Sequence, residues 1–130
     1  MTDCPIWATT ASATPPGDAR FPVVDFSAHT VSLGIHFYRG PMFPAKYRGD
    51  AFVAQHGSWN RTTPIDYRVM RVRFDKAGQA TAKQIFAEGW LEGDDVRGRP
   101  VNIKELVDGS LLVSDDCADV IYRITYNGPK

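Results

Sequence analysis

Residues 52–61, Phe-Val-Ala-Gln-His-Gly-Ser-Trp-Asn-Arg, hold a dense set of side chains capable of chemistry. An alternating apolar pattern stops at His56, and Gly57 then frees the backbone, which predicts a strand followed by a loop. Loops at strand ends often carry binding residues on a rigid scaffold. From His56 to Arg61 the loop offers an imidazole, a hydroxyl, an indole, an amide and a guanidinium. The alternative is an ordinary hairpin connection with a hydrogen-bonded histidine.

Two familiar arrangements do not fit this sequence. Ser58 lies beside His56, but the Gly-x-Ser-x-Gly elbow of hydrolases is missing and no strand–turn–helix is predicted around it. His29 and His36 are seven residues apart, so on an extended chain they point to opposite faces and cannot share a metal ion. His36 is better explained as a strand histidine bonded to a neighbour.

Other candidates have two interpretations each. The pair Asp115-Asp116 could supply oxygen ligands to calcium, but adjacent acids at a strand end more often cap a turn. Trp59 and Trp90 could stack on the ring of a ligand, although aromatic residues of a sheet more often pack in its core.

Composition limits the class of partner. The chain has 130 residues, 43% of them hydrophobic, which suits one globular domain at most. Fifteen basic and fifteen acidic residues cancel, so neither nucleic acid nor an anionic membrane surface is an expected partner. Three arginines on one predicted strand fall on both of its faces, which favours solvated edge residues over an anion-binding patch. They are Arg68, Arg71 and Arg73.

Residues 1–20 are predicted to be a flexible lead-in because they are rich in Ala, Thr, Ser and Pro. Asp3 replaces the basic start of a secretory signal, and no window approaches the ~20 apolar residues of a membrane helix. Cys4 and Cys117 form no Cys-x-x-Cys unit. They can pair in an oxidising compartment or stay free, and free thiols are favoured.

From Phe21 to the end, short β-branched and aromatic runs alternate with Gly, Pro and Asp turns, which predicts an all-β domain over residues 21–130. The predicted strands are 32–38, 50–55, 67–74, 81–87, 101–106, 110–115 and 120–126. The glycines at 78 and 109 suit tight hairpins that need a positive φ.

An internal repeat supports a more specific fold. Residues 49–55 and 67–72 parallel residues 109–115 and 120–124, and a further strand precedes each copy. Such repeats of small antiparallel sheets are typical of propeller blades. We predict one four-stranded and one incomplete three-stranded sheet. Two blades leave sheet edges open, so self-association through these edges is expected.

Several long segments carry a resemblance to a known family. They are residues 28–40 (AHTVSLGIHFYRG), 47–61 (YRGDAFVAQHGSWNR), 98–100 (GRP), 108–116 (DGSLLVSDD) and 121–124 (IYRI). From Phe21 to Tyr126 the sequence closely resembles the C-terminal part of the glucose/sorbosone dehydrogenase family. Asp66 and Asp119 stand where this family usually has glycine.

The resemblance implies a six-bladed β-propeller that binds pyrroloquinoline quinone (PQQ), often with calcium, and oxidises an aldose or related sugar. It implies a periplasmic or secreted oxidoreductase that passes electrons to an external acceptor. The family's general-base histidine lies on earlier blades, so no catalytic residue is assigned to this chain. The alternative is a non-catalytic propeller fragment or remnant that needs a partner chain and is inactive alone.

The resemblance also implies cofactor-binding residues. Arg99 matches an arginine that pairs with a cofactor carboxylate, and Asp115 matches an acidic position on the cofactor side. His29, at the corresponding entry of the preceding blade, is expected to face the same channel mouth. The same expectation holds for His56 and Arg61. No metal ligand is assigned.

Overall fold

The computed structural model describes residues 16–129. Residues 1–15, with Cys4 and most of the predicted lead-in, lie outside the described residues. The described part forms nine β-strands in three antiparallel sheets, with one 3-10 turn at Ala45–Tyr47. Cys117 is an exposed free thiol. None of the described residues belongs to a helix with the length and apolarity needed to cross a bilayer.

The first sheet has four strands in sequence order: β1 (Thr30–Phe37), β2 (Ala51–Ser58), β3 (Tyr67–Phe74) and β4 (Ala80–Glu88). Strand β2 runs further than predicted, so His56 and Gly57 lie in the strand and the loop begins at Trp59. Gly57 is buried with a φ of 98°, and a Cβ at this position would collide with the ring of Tyr67. Glycine here therefore lets the strand continue beneath an aromatic ring instead of ending it.

The other large sheet has three strands, β7 (Pro100–Glu105), β8 (Leu111–Asp115) and β9 (Val120–Ile124), in the order β7-β8-β9. Along the chain, between the strands of the two large sheets, β5 (Leu91–Glu92) and β6 (Asp95–Val96) form a small hairpin that is too short for alternation to predict. The predicted fold class is confirmed: an all-β arrangement of propeller-like blades, with one four-stranded and one three-stranded antiparallel sheet.

An aromatic core fills the interface between the two large sheets, which we call the seam. Phe52 is fully buried and its ring centroid lies 4.5 Å from that of Phe86. Tyr38 is also fully buried and donates a hydrogen bond to the carbonyl of Gly109, in the β7–β8 turn of the other sheet, at 2.8 Å. The remaining buried members of this core are Phe43, Ala54, Tyr67, Val69, Trp90, Ile103, Leu111 and Val113.

The opposite face of the four-stranded sheet, the outer face, is also apolar but only partly covered. One row of register partners crosses all four strands and consists of Ile35, Val53, Met70 and Ile85. Val24 and Phe26 pack against the central strands. The edge positions stay open, with Ile35 60% exposed and Ile85 44% exposed.

Strand β3 is covered on both faces, which corrects the expectation of solvated arginines. Arg71 is 3% exposed, and its Nε donates to Asp50 Oδ2 at 2.7 Å. Its guanidinium carbon lies 3.7 Å from the centroid of the Tyr47 ring. Arg68 is partly buried and forms an ion pair with Asp66. Of the three arginines, Arg73 alone is exposed as predicted. The burial of Arg71 is possible because a carboxylate and an aromatic ring lie beside its guanidinium.

Two aspartates occupy turn positions that normally favour glycine. Asp66 has a φ of 66° and Asp119 a φ of 54°. Aspartate is among the residues that tolerate this left-handed region. The two turns expected to be glycine turns therefore form with Asp, and Asp66 also accepts a hydrogen bond from Thr30 Oγ1 at 2.6 Å.

Candidate functional site

The five residues predicted to bind a cofactor lie at one end of the two large sheets, which we call the site edge. Here β1 and β7 begin while β2 and β8 end, since Thr30 pairs with Ser58 and Pro100 pairs with Asp115. Contacts across the seam join the site edges of the two sheets. The topology therefore gathers residues that are up to 86 positions apart, from His29 to Asp115, along one surface.

Arg99 enters this edge from the three-stranded sheet and rests on the four-stranded one. Its guanidinium carbon lies 5.1 Å from the centroid of the Tyr67 ring, and the side chain is partly exposed. The Tyr67 hydroxyl donates to Ser58 O at 3.0 Å, which fixes the ring. No carboxylate among the described residues forms an ion pair with Arg99. A partly buried guanidinium in this state offers its donor fork to an external anion.

Asp115 holds the backbone beneath Arg99. Its Oδ1 accepts hydrogen bonds from the backbone N–H groups of Arg99 at 2.9 Å, Cys117 at 3.0 Å and Ala118 at 2.8 Å. Burial of the carboxyl group, the largest single influence, raises the pKa of Asp115, but the backbone hydrogen bonds together hold this pKa below its ordinary value. The carboxylate therefore stays ionised and serves to position Arg99.

Gly98 is required for the close approach of these groups. It is buried, and a Cβ at this position would collide with the Asp115 carboxylate and approach the ring of Trp90. Trp90 itself is 8% exposed and makes an edge contact with Tyr122. Packing is therefore the interpretation that the structure supports for Trp90.

His56 bridges the seam beside Arg99. Its Nε2 lies 2.9 Å from Oδ1 of Asp116, the exposed acid that follows β8. In the β2–β3 ladder His56 is the register partner of Tyr67, the residue beneath Arg99. Tyr67 thus has His56 as its register partner and Arg99 over its ring.

His29 and Arg61 are brought together a short way along the same edge. With Asn60 and Thr62 they line a cavity of about 240 Å³. Backbone contacts join their segments: Trp59 N donates to His29 O at 3.2 Å, and Arg61 Nη1 donates to the neighbouring carbonyl of residue 28 at 3.5 Å.

The simpler catalytic alternatives find no support in the geometry. Ser58 is buried and its Oγ accepts a hydrogen bond from Ile65 N at 2.8 Å, so the hydroxyl closes a loop. His36 lies 3.0 Å from Glu105 Oε2, as expected for a satisfied strand histidine. Among residues 16–129, no group of three or more His, Cys, Asp or Glu is arranged to hold a metal ion.

Tyr67 is the site residue that sequence analysis missed. It begins β3, lies beneath Arg99 and also lines a second cavity of about 440 Å³ at the outer part of the site edge. The other residues lining this cavity are Asp66, Arg68, Glu88, Gly89 and Leu91. Sequence analysis gave Tyr67 only as the first residue of the predicted strand 67–74, because a sequence pattern does not show which ring another sheet will contact.

Comparison with known proteins places this chain in a family. The model of the family described as TrAA12-like matches residues 9–127. The chain belongs to the TrAA12-like family. The finer resemblance to glucose/sorbosone dehydrogenases stays a prediction from the motifs.

Individual relatives of this TrAA12-like chain include one of unknown activity and two solved structures. An uncharacterized protein of Borreliella burgdorferi is 42% identical over 106 residues, which is 80% of this chain and 28% of that protein. The Trichoderma reesei Carbohydrate-Active Enzymes Family AA12 structure, determined with iodide, is 28% identical with a TM-score of 0.59. The match covers 78% of this chain and 26% of the Trichoderma chain.

The PQQ domain of pyranose dehydrogenase from Coprinopsis cinerea, in its holo form, is 23% identical with a TM-score of 0.55. The match covers 77% of this chain and 28% of that one, and it shows similarity of fold. This TrAA12-like chain thus spans little more than a quarter of the length of the relatives that it matches.

Proposed function

We propose that this chain forms part of a PQQ-dependent sugar oxidoreductase and that its site edge lines the quinone site. Membership of the TrAA12-like family supports the class, as does the similarity to the Trichoderma AA12 structure. The fold likeness to a domain that binds PQQ in another enzyme is consistent with it. The motif resemblance described above adds the sugar class and the external electron acceptor.

The observation that carries the proposal is the state of Arg99. PQQ is a planar tricarboxylate, and a guanidinium fork binds a carboxylate with two parallel hydrogen bonds. Arg99 lacks an internal carboxylate among the described residues, its backbone is fixed by Asp115 and its side chain rests on Tyr67. The residues present therefore fit a negatively charged group of about the size of an aromatic ring at this position.

The other predicted residues take supporting roles in this proposal. Asp115 positions Arg99 through its backbone, and His56 holds the adjacent turn through Asp116. His29 and Arg61 lie along the same edge, where they can contact more distant parts of the ligand. When bound, the quinone supplies the acceptor for hydride from the sugar. The chain's residues hold and orient it, and none of the three histidines is assigned as general base.

Calcium does not fit the acidic residues of this edge. Asp115 already accepts three backbone N–H groups and a fourth bond from the Tyr122 hydroxyl at 3.3 Å. Asp116 is engaged with His56. We therefore assign no calcium ligand here, and calcium as a second cofactor stays a prediction for a longer polypeptide. The same applies to a periplasmic or secreted location.

The proposal is tested by titrating the purified chain with PQQ, following the absorbance of the quinone and the intrinsic fluorescence. Arg99→Ala should weaken quinone binding by at least tenfold, since a charge-assisted hydrogen bond is worth about 1.5–3 kcal/mol. Arg99→Lys should recover only part of the affinity, because an ammonium lacks the planar fork.

Arg97→Ala is the matched control. Arg97 is two residues away, its side chain is 60% exposed and it pairs with Glu92 on the small hairpin. Equal affinity of the wild-type and Arg99→Ala chains would contradict the assignment of Arg99. A sugar-dependent dye-reduction assay run in parallel separates the two functional classes. Binding without turnover would support a cofactor-binding fragment, and absence of both would support the non-catalytic alternative.

A further inference from the structure

The two tryptophans that the structure describes have opposite environments. Trp90 is packed in the core, whereas Trp59 is 72% exposed at the site edge. Trp59 makes no ring contact with any aromatic residue of the described part. Tryptophan presents the largest apolar surface of any side chain and is usually well covered. An indole left open beside a candidate site thus has no use in the packing of residues 16–129.

The loop that carries Trp59 is fixed at its base. Ser58 N donates to Ile65 O at 2.9 Å, and Ile65 N donates back to Ser58 Oγ at 2.8 Å. Trp59 N donates to His29 O, which ties the loop to the segment before β1. A side chain on such a closed loop is presented in a preorganised position, so a ligand that binds to it spends little free energy on ordering the backbone.

The residues that follow Trp59 line the cavity of about 240 Å³. Asn60 contributes an amide, Arg61 a guanidinium and Thr62 a hydroxyl, and His29 faces them from the other segment. These groups supply donors and acceptors, and no carboxylate lines the cavity. The volume is below the roughly 300–1,000 Å³ of sites for drug-sized ligands, so it suits a group of about monosaccharide size.

We propose that Trp59 and this cavity form a pyranose-binding subsite, in which the indole stacks on the apolar face of the sugar ring and Asn60, Arg61 and Thr62 bind its hydroxyl groups. A simple anion would need only Arg61 and His29 and would leave the exposed indole without a function. A pyranose has one apolar C–H face and a rim of hydroxyls, so it uses both. The inference rests on the proposed function for its substrate class, but it requires no bound quinone.

The test is a titration of the ¹⁵N-labelled full chain with methyl α-D-glucopyranoside in the absence of quinone. The indole N–H signal of Trp59 is identified by its loss in Trp59→Phe. We expect saturable shifts of that signal and of the Asn60 and Arg61 amides, with no shift of the Trp90 indole. Trp59→Ala should lower the affinity at least tenfold and Trp59→Phe by about threefold or less, since a smaller ring keeps part of the stacking surface.

Two control variants and two control ligands sharpen the result. Ile121→Ala removes a side chain of similar exposure, 67%, from the three-stranded sheet and should leave the affinity unchanged. Arg97→Ala, whose side chain is 60% exposed, should also leave it unchanged. Because the titration contains no quinone, a failed quinone site and a failed sugar site give different patterns. The acyclic polyol sorbitol should shift these signals far less than the pyranoside, as should sodium succinate.

Three outcomes would overturn the inference. They are a pyranoside affinity that survives Trp59→Ala, an equal response to sorbitol, and a response to succinate alone. The last result would assign the cavity to anions.

Discussion

The two faces of the four-stranded sheet differ in how they are closed. The inner face buries the rings of Phe52 and Phe86, 4.5 Å apart, in the core that it shares with the other large sheet, and directed bonds such as Tyr38 to Gly109 join the two sheets. The outer face has an equally apolar central row, but the structure covers only its middle, with Val24 and Phe26. Both faces are therefore apolar, but the inner face differs in its specific ring contacts and in its hydrogen bonds to the other sheet.

The seam also differs in its ion pairs. Both ion pairs that join the two large sheets contain histidine: His36 with Glu105, and His56 with Asp116. The ion pairs within single sheets or hairpins use arginine, as in Arg71 with Asp50. The contacts across the seam therefore use imidazole groups, whereas those within a sheet or hairpin use guanidinium groups.

The largest difference between the two faces is expected on truncation of one buried and one exposed side chain. Phe52→Ala should lower the free energy of unfolding by about 3–5 kcal/mol, because it opens a cavity among rings. Ile35→Ala, on the outer face, should cost less than about 1 kcal/mol, since that side chain is already mostly exposed. Urea denaturation of both variants measures the contrast. Similar losses would mean that the outer face is buried in solution.

A smaller effect is expected at the site-edge end of the seam. Asp115→Asn should cost about 1–3 kcal/mol near pH 7, because the buried carboxylate accepts three backbone donors. Its pKa is lowered on folding, so its contribution is full above the unfolded pKa of about 3.9 and is lost as pH falls through the lower, folded value.

The variant and the wild type should therefore converge in stability toward acid pH. The measurement is urea denaturation of both chains between pH 7 and pH 2. Asp116→Asn, whose side chain is 62% exposed, is the control and should cost less than about 1 kcal/mol at neutral pH. A stability gap between wild type and Asp115→Asn that stays constant down to pH 2 would contradict this role for the carboxylate.

Asp119 lies in a turn outside both faces, so its substitution measures an effect of backbone conformation without a change in packing. Asp119→Gly should raise the free energy of unfolding by about 0.5–1 kcal/mol, because its positive φ is strained for aspartate and free for glycine. Asp94→Gly, in a turn of the small hairpin at a position without positive φ, is expected to be neutral or destabilising. Thermal unfolding of the pair resolves the sign, and stabilisation of both would refute the strain argument.

The smallest change in stability is expected for Ile35→Lys, although its effect on association should be clear. A charge on the open edge strand β1 opposes pairing of copies through sheet edges. Sedimentation velocity over a concentration series should therefore show a shift toward monomer relative to wild type. Val107→Lys, at the fully exposed tip of the β7–β8 hairpin, is the control. An unchanged distribution would argue against association through this edge.

Alternation and turn chemistry were sufficient to predict that the seven strands of the two large sheets exist, but not all of their boundaries. The boundaries of β3 agree with the prediction, and the glycines at 78 and 109 have the positive φ that hairpins require. The length of β2 was wrong because Gly57 suggested a break, while in the structure it makes room for Tyr67. The hairpin of β5 and β6 was not predicted because a strand of two residues is too short to show an alternating apolar pattern.

The site could be predicted only in part. The family resemblance placed His29, His56 and Arg99 at one channel mouth, and the strand ends of the structure bring them to one edge. The burial of Arg71 was missed because its partners, Asp50 and the ring of Tyr47, are distant in sequence. The role of Tyr67 was missed for the same reason, since contacts across a seam depend on tertiary packing that one strand's pattern does not encode.

The placement of Arg99 on Tyr67 has a thermodynamic consequence. The guanidinium belongs to one sheet and the ring beneath it to the other, so a ligand held there depends on the two sheets being docked. Such a ligand binds the folded chain and not the unfolded one, and at a hundred times its Kd it adds about 2.7 kcal/mol to folding stability. The affinity for such a ligand and the cohesion between the sheets are then coupled, so a substitution that loosens the seam will be measured partly as weaker binding.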